Sequence, residues 1–239
     1  MALGALKYKR ILLKLSGEVL GGKKGEGIDF ELMRGLVAEI KKLVARKVQV
    51  AIVIGGGNFW RYRDFTDSKL DRVNSDYLGM LATIINSVAL QDELRAAGVK
   101  AEAVSSIPVA GLVEAFEAGP GRKTLAEGVV LICAGGTGNP YCTTDMAAAL
   151  RAGELQCQLI VKATNVDFAY DKDPHKYKDA KPLKDVSYDE VLARRLGVMD
   201  LAAIATAKET RVPIAIFNLN HPQNLLEILQ GKKIGTKIY

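Results

Sequence analysis

Residues 48–58 read Val-Gln-Val-Ala-Ile-Val-Ile-Gly-Gly-Gly-Asn. A β-branched apolar run halted by three glycines has the pattern of a buried strand whose carboxyl end turns sharply. The pattern recurs upstream, where residues 11–15 follow Lys9-Arg10 and stop at Ser16-Gly17. Between the two runs Met33, Leu36, Val37, Ile40, Leu43 and Val44 return at helical spacing, with Asp29 placed to cap the first turn. Strand, helix, strand with unbroken apolar strands is the unit of a parallel sheet, because strands covered on both faces need no polar alternation.

Outward from this unit the alternation continues. A helix is expected over 77–97, with Leu81, Ile84 and Val88 on one face and Gly98 at its carboxyl end. Strands are expected over 101–107, 129–134, 159–163 and 213–217, with helical segments over 147–154 and 201–211. The fold class is therefore α/β: a three-layer α/β/α sandwich with a central, mainly parallel sheet. Residues 167–187, with five lysines, two prolines and alternating aromatics, read as an exposed hairpin or lid. No repeat and no Pro-, Gly- or Ser-rich linker divides the chain, so any boundary near 155–165 is a cleft within one unit.

The chain has 239 residues, 49% hydrophobic and 25% charged with the signs mixed, the make-up of a globular protein with a sizeable core. A formal net charge of +6 favours an anionic partner. The basic residues form no long run and no aromatic-rich stripe, which sets nucleic acid aside as the main partner. Cys133, Cys142 and Cys157 are odd in number, lack C-x-x-C spacing and adjoin apolar segments, so they read as small hydrophobes in a reducing compartment. Two histidines, His175 and His221, argue against a zinc cluster or a Ser-His-Asp triad. No apolar run approaches the ~20 residues of a membrane helix, and residues 1–10 lack a signal-peptide core. The expectation is a cytoplasmic protein with no membrane partner.

Chemistry is expected beyond the strand ends, where open α/β sheets bind ligands. Three ends deliver unusual backbone: Lys14-Leu15-Ser16-Gly17, Gly55-Gly56-Gly57-Asn58 and Gly135-Gly136-Thr137-Gly138-Asn139-Pro140. One glycine cluster is more often only a turn, but three together let amide N–H groups approach a phosphate. Thr143-Thr144-Asp145 precedes a helix, so a hydroxyl there caps it and the helix start also attracts an anion. Neither G-x-x-x-x-G-K-[ST] nor G-x-G-x-x-G occurs, which excludes the Walker and dinucleotide cradles.

Lys14-Leu15-Ser16-Gly17-Glu18, the run Val-Ile-Gly-Gly-Gly-Asn at 53–58, and Thr-Gly-Asn-Pro at 137–140 with Thr143-Thr144-Asp145 together resemble the bacterial uridylate kinases of the amino acid kinase superfamily. The resemblance runs almost end to end, through Gly-Met-Leu-Ala-Thr at 79–83, Lys-Ala-Thr at 162–164, Asp-Pro at 173–174 and Val-Met-Asp-Leu-Ala-Ala at 198–203. It implies transfer of the γ-phosphoryl group of ATP to UMP by a single kinase domain, its acceptor-binding part over about 1–155 and its ATP-binding part over about 156–239. It also implies magnesium with ATP, a homohexamer, activation by GTP through Gly22, Lys23, Lys24, Gly25, Glu26 and Gly27, and inhibition by UTP.

Carried over residue by residue, the resemblance makes Lys14 the cation that follows charge on the transferring group and Asp200 the carboxylate that orients it, with a helix N-cap as the other reading of Asp200. Arg61 is expected to hold phosphate bidentately. ATP is assigned to Lys14, Leu15, Ser16, Gly17, Gly57, Arg61, Thr164, Tyr170 and Asp173, with Tyr170 near adenine. UMP is assigned to Gly56, Arg61, Asp76, Thr137, Gly138, Asn139, Pro140, Tyr141, Cys142, Thr143 and Thr144, with Asp76 on the ribose hydroxyls and Asn139 on the uracil edge. Asp145 has two readings, fixing the Thr-Thr turn or touching magnesium, and the metal ligands stay open. The chain departs from the family pattern at Phe168-Ala169, in the bulky, charged stretch 60–68, and at Gly135. A sibling kinase acting on a carboxylate or carbamate would share the nucleotide loops, and a silent binding protein on this scaffold would be expected to lose Lys14 or Asp200.

Overall fold

The strand pair read first lies at the centre of the molecule. β1 (Arg10–Leu15) and β2 (Gln49–Ile54) run parallel, Arg10 opposite Gln49 and Leu15 opposite Ile54. They are joined through a single turn, α1 (Gly17–Leu20), and α2 (Phe30–Ala45), whose first turn is capped by Asp29 accepting from the Glu31 and Leu32 N–H groups. The computed structural model describes residues 5–65, 69–172, 174 and 176–239, without the side chains of Lys23, Arg63 and Phe65. The expected Asp173 and Lys23 contacts and part of the 60–68 stretch therefore lie outside the described residues.

The chain continues through α3 (Arg72–Ala96), β3 (Ala101–Ser105), β4 (Glu114–Ala115), α4 (Ala118–Ala126), β5 (Val130–Ala134), α5 (Thr144–Glu154) and β6 (Leu159–Thr164). A small antiparallel pair, β7 (Ala169–Tyr170) and β8 (Pro182–Leu183), forms the expected hairpin. Then come β9 (Asp185–Val186), α6 (Tyr188–Arg194), α7 (Leu201–Thr210), β10 (Ile214–Asn218), α8 (Asn224–Leu229) and β11 (Thr236–Ile238). The main sheet has nine strands in the order β4-β3-β5-β2-β1-β6-β10-β11-β9, all pairs parallel except β10 with β11. Chain order reverses direction at β1, the topological switch point at which such sheets open a crevice.

Strand alternation divides the core into two layers. Ile11, Leu13 and Leu15 of β1 pack with α2, α3 and α8, whereas Leu12 faces the layer of α5 and α7. Lys14 continues the Leu12 face, and its register partner on β6, Lys162, does the same beside Ile160.

Two expectations need correcting. The helix expected over 77–97 begins at Arg72, because Asp71 accepts from the Val73 and Asn74 N–H groups and a polar first turn hides the apolar period. The strand expected over 101–107 stops at Ser105. Helix α4, whose first turn carries the helix-breaking run Gly-Pro-Gly, is anchored by burial of Gly121 and Leu125.

Candidate active site

A carboxylate held between two lysines occupies the carboxyl end of the central strands. Lys14 Nζ lies 2.7 Å from Asp145 Oδ1, and Lys162 Nζ lies 2.6 Å from Asp145 Oδ2 and donates to the Val198 carbonyl at 2.7 Å. The parallel β1–β6 register places both lysines on one face, and the first turn of α5 points Asp145 between them. Burial pushes the Asp145 carboxyl up, but Lys14 and Lys162 outweigh it and hold the group below its ordinary value. Burial drives the Lys162 ammonium below the ordinary lysine value, against the pull of Asp145.

Two cavities flank this cluster. One of about 860 Å³ is lined by Lys14, Ser16, Lys162, Thr164 and the start of α2. The other, of about 150 Å³, is lined by Gly56, Asp76, Met80, Gly136, Thr137 and Thr144 among others. The α5 N-terminus separates them: Thr143 Oγ1 accepts from the Asp145 and Met146 N–H groups, each at 3.1 Å, and donates to Asp200. The loops meet so closely that a Cβ on Gly17 would stand 2.6 Å from both the Gly55 oxygen and the Gly57 nitrogen.

Buried polar side chains fix these loops. Asn86 on α3 donates to the Gly55 carbonyl at 2.8 Å and exchanges amide bonds with Asn58, and Thr83 Oγ1 accepts from the Gly135 N–H at 2.8 Å. On the opposite side Arg151, 8% exposed, donates to Ser106 Oγ at 2.7 Å, and Ser106 in turn donates to the Gly136 carbonyl at 2.9 Å. The Arg151 guanidinium also stacks 3.9 Å over the Phe116 ring and pairs with Glu154.

The chain as a whole is similar to known proteins. The amino acid kinase family model matches residues 9–218. A uridylate kinase of Rickettsia rickettsii is 42% identical over 98% of this chain and 95% of its own, and one of Rickettsia felis is 42% identical over 99% and 98%. Crystal structures of UMP kinases from Bacillus anthracis and Ureaplasma parvum superpose with TM-scores of 0.93 and 0.90 at 33% and 34% identity, covering 96% or more of each chain. The chain belongs to the amino acid kinase family. Within it, the chain is one of the uridylate kinases.

Set against what the uridylate kinase resemblance led us to expect, the site is gathered only in part. Lys14, Ser16 and Thr164 line the larger cavity. Gly56, Asp76, Thr137, Cys142, Thr143 and Thr144 line the smaller one. Leu15 is fully buried and Gly17 is packed against the second loop, so both offer backbone alone. Gly138 packs on Ser106.

Other assigned residues have different partners or lie outside these two cavities. The carboxylate that pairs with Lys14 is Asp145; Asp200 instead caps α7 through the Ala203 N–H and accepts from Thr143. Arg61 Nε donates to the Gly57 carbonyl at 2.6 Å, Nη1 lies 3.1 Å from Glu18 at the border of the Lys14 cavity, and the residue itself lines a third cavity. That cavity, about 630 Å³, is lined by Lys24, Gly25, Glu26, Gly27, Gly57 and Arg61, whereas Gly22 lines the Lys14 cavity. The Asn139 amide folds back onto the Thr137 carbonyl and is exposed, and Tyr141 is 70% exposed; neither they nor Pro140 line the smaller cavity. Tyr170 pairs with Pro182 in the hairpin and does not line the Lys14 cavity.

Cys133 and Cys157 are buried, their thiols pushed up to about 12 by that burial, whereas Cys142 is exposed and not the small core hydrophobe expected. Sequence reasoning quoted Lys162 and Thr83 within motifs but left them without a role, and missed Asn86 and Arg151 altogether. The available signal was a lone lysine inside the apolar run Leu-Ile-Val-Lys-Ala-Thr, and polar residues recurring at helical spacing on α3.

Proposed function

We propose that the protein transfers the γ-phosphoryl group of ATP to UMP, giving UDP and ADP, with ATP in the Lys14 cavity and UMP toward the Thr137–Thr144 side. The observation that carries this is the Lys14–Asp145–Lys162 cluster standing between two cavities and at a helix N-terminus. Phosphoryl transfer rests on positioning and on cations and N–H groups aimed at charge that spreads over the transferring oxygens. Lys14 and Lys162 supply the cations, Asp145 fixes both ammonium groups, and the Thr143–Thr144 turn offers backbone N–H groups to the migrating phosphoryl. Asp200 acts one step back by holding Thr143. The phosphate acceptor has a second pKa of about 6 and is ionised near neutrality, so no general base is needed.

The smaller cavity holds less than a whole nucleotide, which ordinarily needs about 300 Å³ or more. UMP entry therefore opens the exposed rim, where the Arg72 guanidinium lies 4.4 Å from the Tyr62 ring and 5.3 Å from the Tyr141 ring. Asp76, bonded to Arg72 and to the Tyr141 N–H, keeps lone pairs for ribose hydroxyls. Among the described residues no three His, Cys, Asp or Glu side chains converge as a metal cage. Magnesium would arrive with ATP and be held mainly by its phosphates, with Asp145 and Asp200 as the protein carboxylates at that end. The chemistry such an ion would supply there is partial neutralisation of phosphate charge.

The finer reading is a cytoplasmic homohexamer, the UMP-binding part over about 1–155 and the ATP-binding part over about 156–239, activated by GTP at Gly22, Lys23, Lys24, Gly25, Glu26 and Gly27 and inhibited by UTP. Its supports are the cavity that Lys24 through Gly27 share with Arg61 and the apolar stripe exposed on α3. Among the described residues no helix is long and apolar enough to cross a membrane. ADP release with Mg-ATP and UMP, CMP, dUMP, aspartate, glutamate, N-acetylglutamate or carbamate tests the reaction. Turnover is expected with UMP, with kcat falling about 10²–10³-fold in Lys14→Ala while KM changes less; turnover with an amino acid instead would overturn the acceptor assignment.

A further inference from the structure

A fourth cavity, of about 600 Å³, lies away from the phosphoryl-transfer site and shares no lining residue with the Lys14 cavity. Five lysines border it: Lys7, Lys184, Lys232, Lys233 and Lys237. They come from three separate parts of the chain, the N-terminal segment, residue 184 and the strap 232–237. The Lys7 N–H donates to the Leu229 carbonyl at the end of α8, and the Lys237 N–H donates to the Lys184 carbonyl. Lys232 pairs with Glu227 at 3.0 Å and Lys233 with Asp185 at 3.2 Å. Lys7, Lys184 and Lys237 have no carboxylate partner among the described residues. Lys7 and Lys237 lie instead over the Tyr8 and Tyr239 rings, at 5.6 and 5.2 Å. The floor is apolar, built by Leu159, Ala215 and Ile228 with Phe168 at its side.

Converging like charges repel, so a fold that gathers them around a concave apolar floor creates a local field for an anion. We propose that this cavity is a second binding site, for one amphiphilic polyphosphate: a flat apolar body on the Leu159–Ala215–Ile228 floor and a di- or triphosphate among Lys7, Lys184 and Lys237. A nucleoside di- or triphosphate has this chemistry. The strap that carries three of the lysines is tied to the segment leading from Thr164. Thr236 Oγ1 accepts from the Ala169 N–H at 2.8 Å, and Asn218, beside the strap, donates to Asp167 at 3.0 Å. Occupancy therefore bears on the larger cavity through residues 164–169. That consequence rests on the assignment of ATP to the Lys14 cavity; the binding itself does not.

The test is calorimetric titration, without magnesium, of each ribonucleoside triphosphate and of inorganic tripolyphosphate into the wild type, Lys7→Ala/Lys184→Ala/Lys237→Ala and a control, Lys41→Ala/Lys42→Ala/Lys47→Ala. The wild type is expected to take up a nucleotide beyond any held in the Lys14 cavity, the Thr137–Thr144 cavity or the Lys24–Gly27 cavity. The first triple variant should weaken that event at least about tenfold, with turnover in the absence of added effector unchanged. The control should leave it intact. Binding unchanged in the first triple variant, or equal weakening in the control, would overturn the site. Tripolyphosphate binding as tightly as the nucleotides would overturn the role of the apolar floor. Second-site binding that leaves the KM for ATP unmoved would overturn the coupling, whereas a protein inert toward UMP would still report the binding.

Discussion

At the residue scale the Lys14–Asp145–Lys162 cluster is held by one carboxylate. Asp145→Asn keeps the shape and leaves two nearly buried ammonium groups without a counter-charge, so unfolding stability should fall by about 3 kcal/mol, read by denaturant titration. The Asp145 carboxyl is depressed in the fold, so its contribution is fully present above the ordinary value of 3.8 and is lost as pH falls through its lower native value. Melting curves of wild type and Asp145→Asn should therefore converge in acid and stand apart near neutrality. Lys162 is depressed from 10.5, so a cationic role for it predicts that kcat/KM begins to decline at a pH below that value; in Lys162→Arg the decline should move to higher pH. Lys14 was legible because it stands at a strand end before Ser-Gly. Its partner was not, because Asp145 is brought to it from 131 residues away by the packing of α5 on the sheet, and no local pattern encodes that meeting.

At the element scale α3 is a scaffold for the loops as much as a core helix. Asn86, fully buried, satisfies the Gly55 carbonyl and the Asn58 side chain, so Asn86→Ala should cost about 2–3 kcal/mol by leaving them unpaired. The same change should raise the KM for UMP more than it lowers kcat, because it loosens a cavity wall and leaves Lys14 in place. Arg151→Ala should act from the other side, freeing Ser106 and with it the Gly136 carbonyl, and raise the KM for UMP while the KM for ATP stays near wild type in steady-state assays. Apolar residues at helical spacing made α3 readable, although Leu81 of that series is 44% exposed while Ile84 is buried. The polar side chains of α3 count as interruptions when only apolar period is scored. Its true start was hidden by the polar turn after Asp71. Strands of two or three residues, β4 and β9 at the sheet edges and β11 between β10 and β9, carry too few positions to show any period and owe their existence to the strands they pair with.

At the scale of the whole molecule the alternation of strand and helix was enough to give the layered sheet, since each run buried on both faces has only one way to be covered. What that alternation leaves open is the outer surface of the α3 layer. Leu78, Leu81 and Ile85 are 38, 44 and 51% exposed and lie on one side of α3 at spacings of three and four residues. Single exposed apolar residues are ordinary, but a stripe along a 25-residue helix resembles half of a helix–helix contact. A second copy of the chain laying its own α3 there makes a two-fold contact in which each residue meets its own kind. Leu81→Glu with Ile85→Glu puts like charges opposite one another across such a contact, where repulsion and desolvation both oppose association. Light scattering behind size exclusion should then report a smaller species than the wild type, while circular dichroism stays the same because neither side chain belongs to the core. An unchanged mass would show that the assembly, if one forms, uses another face, and a lost fold would show that α3 needs these residues within the single chain.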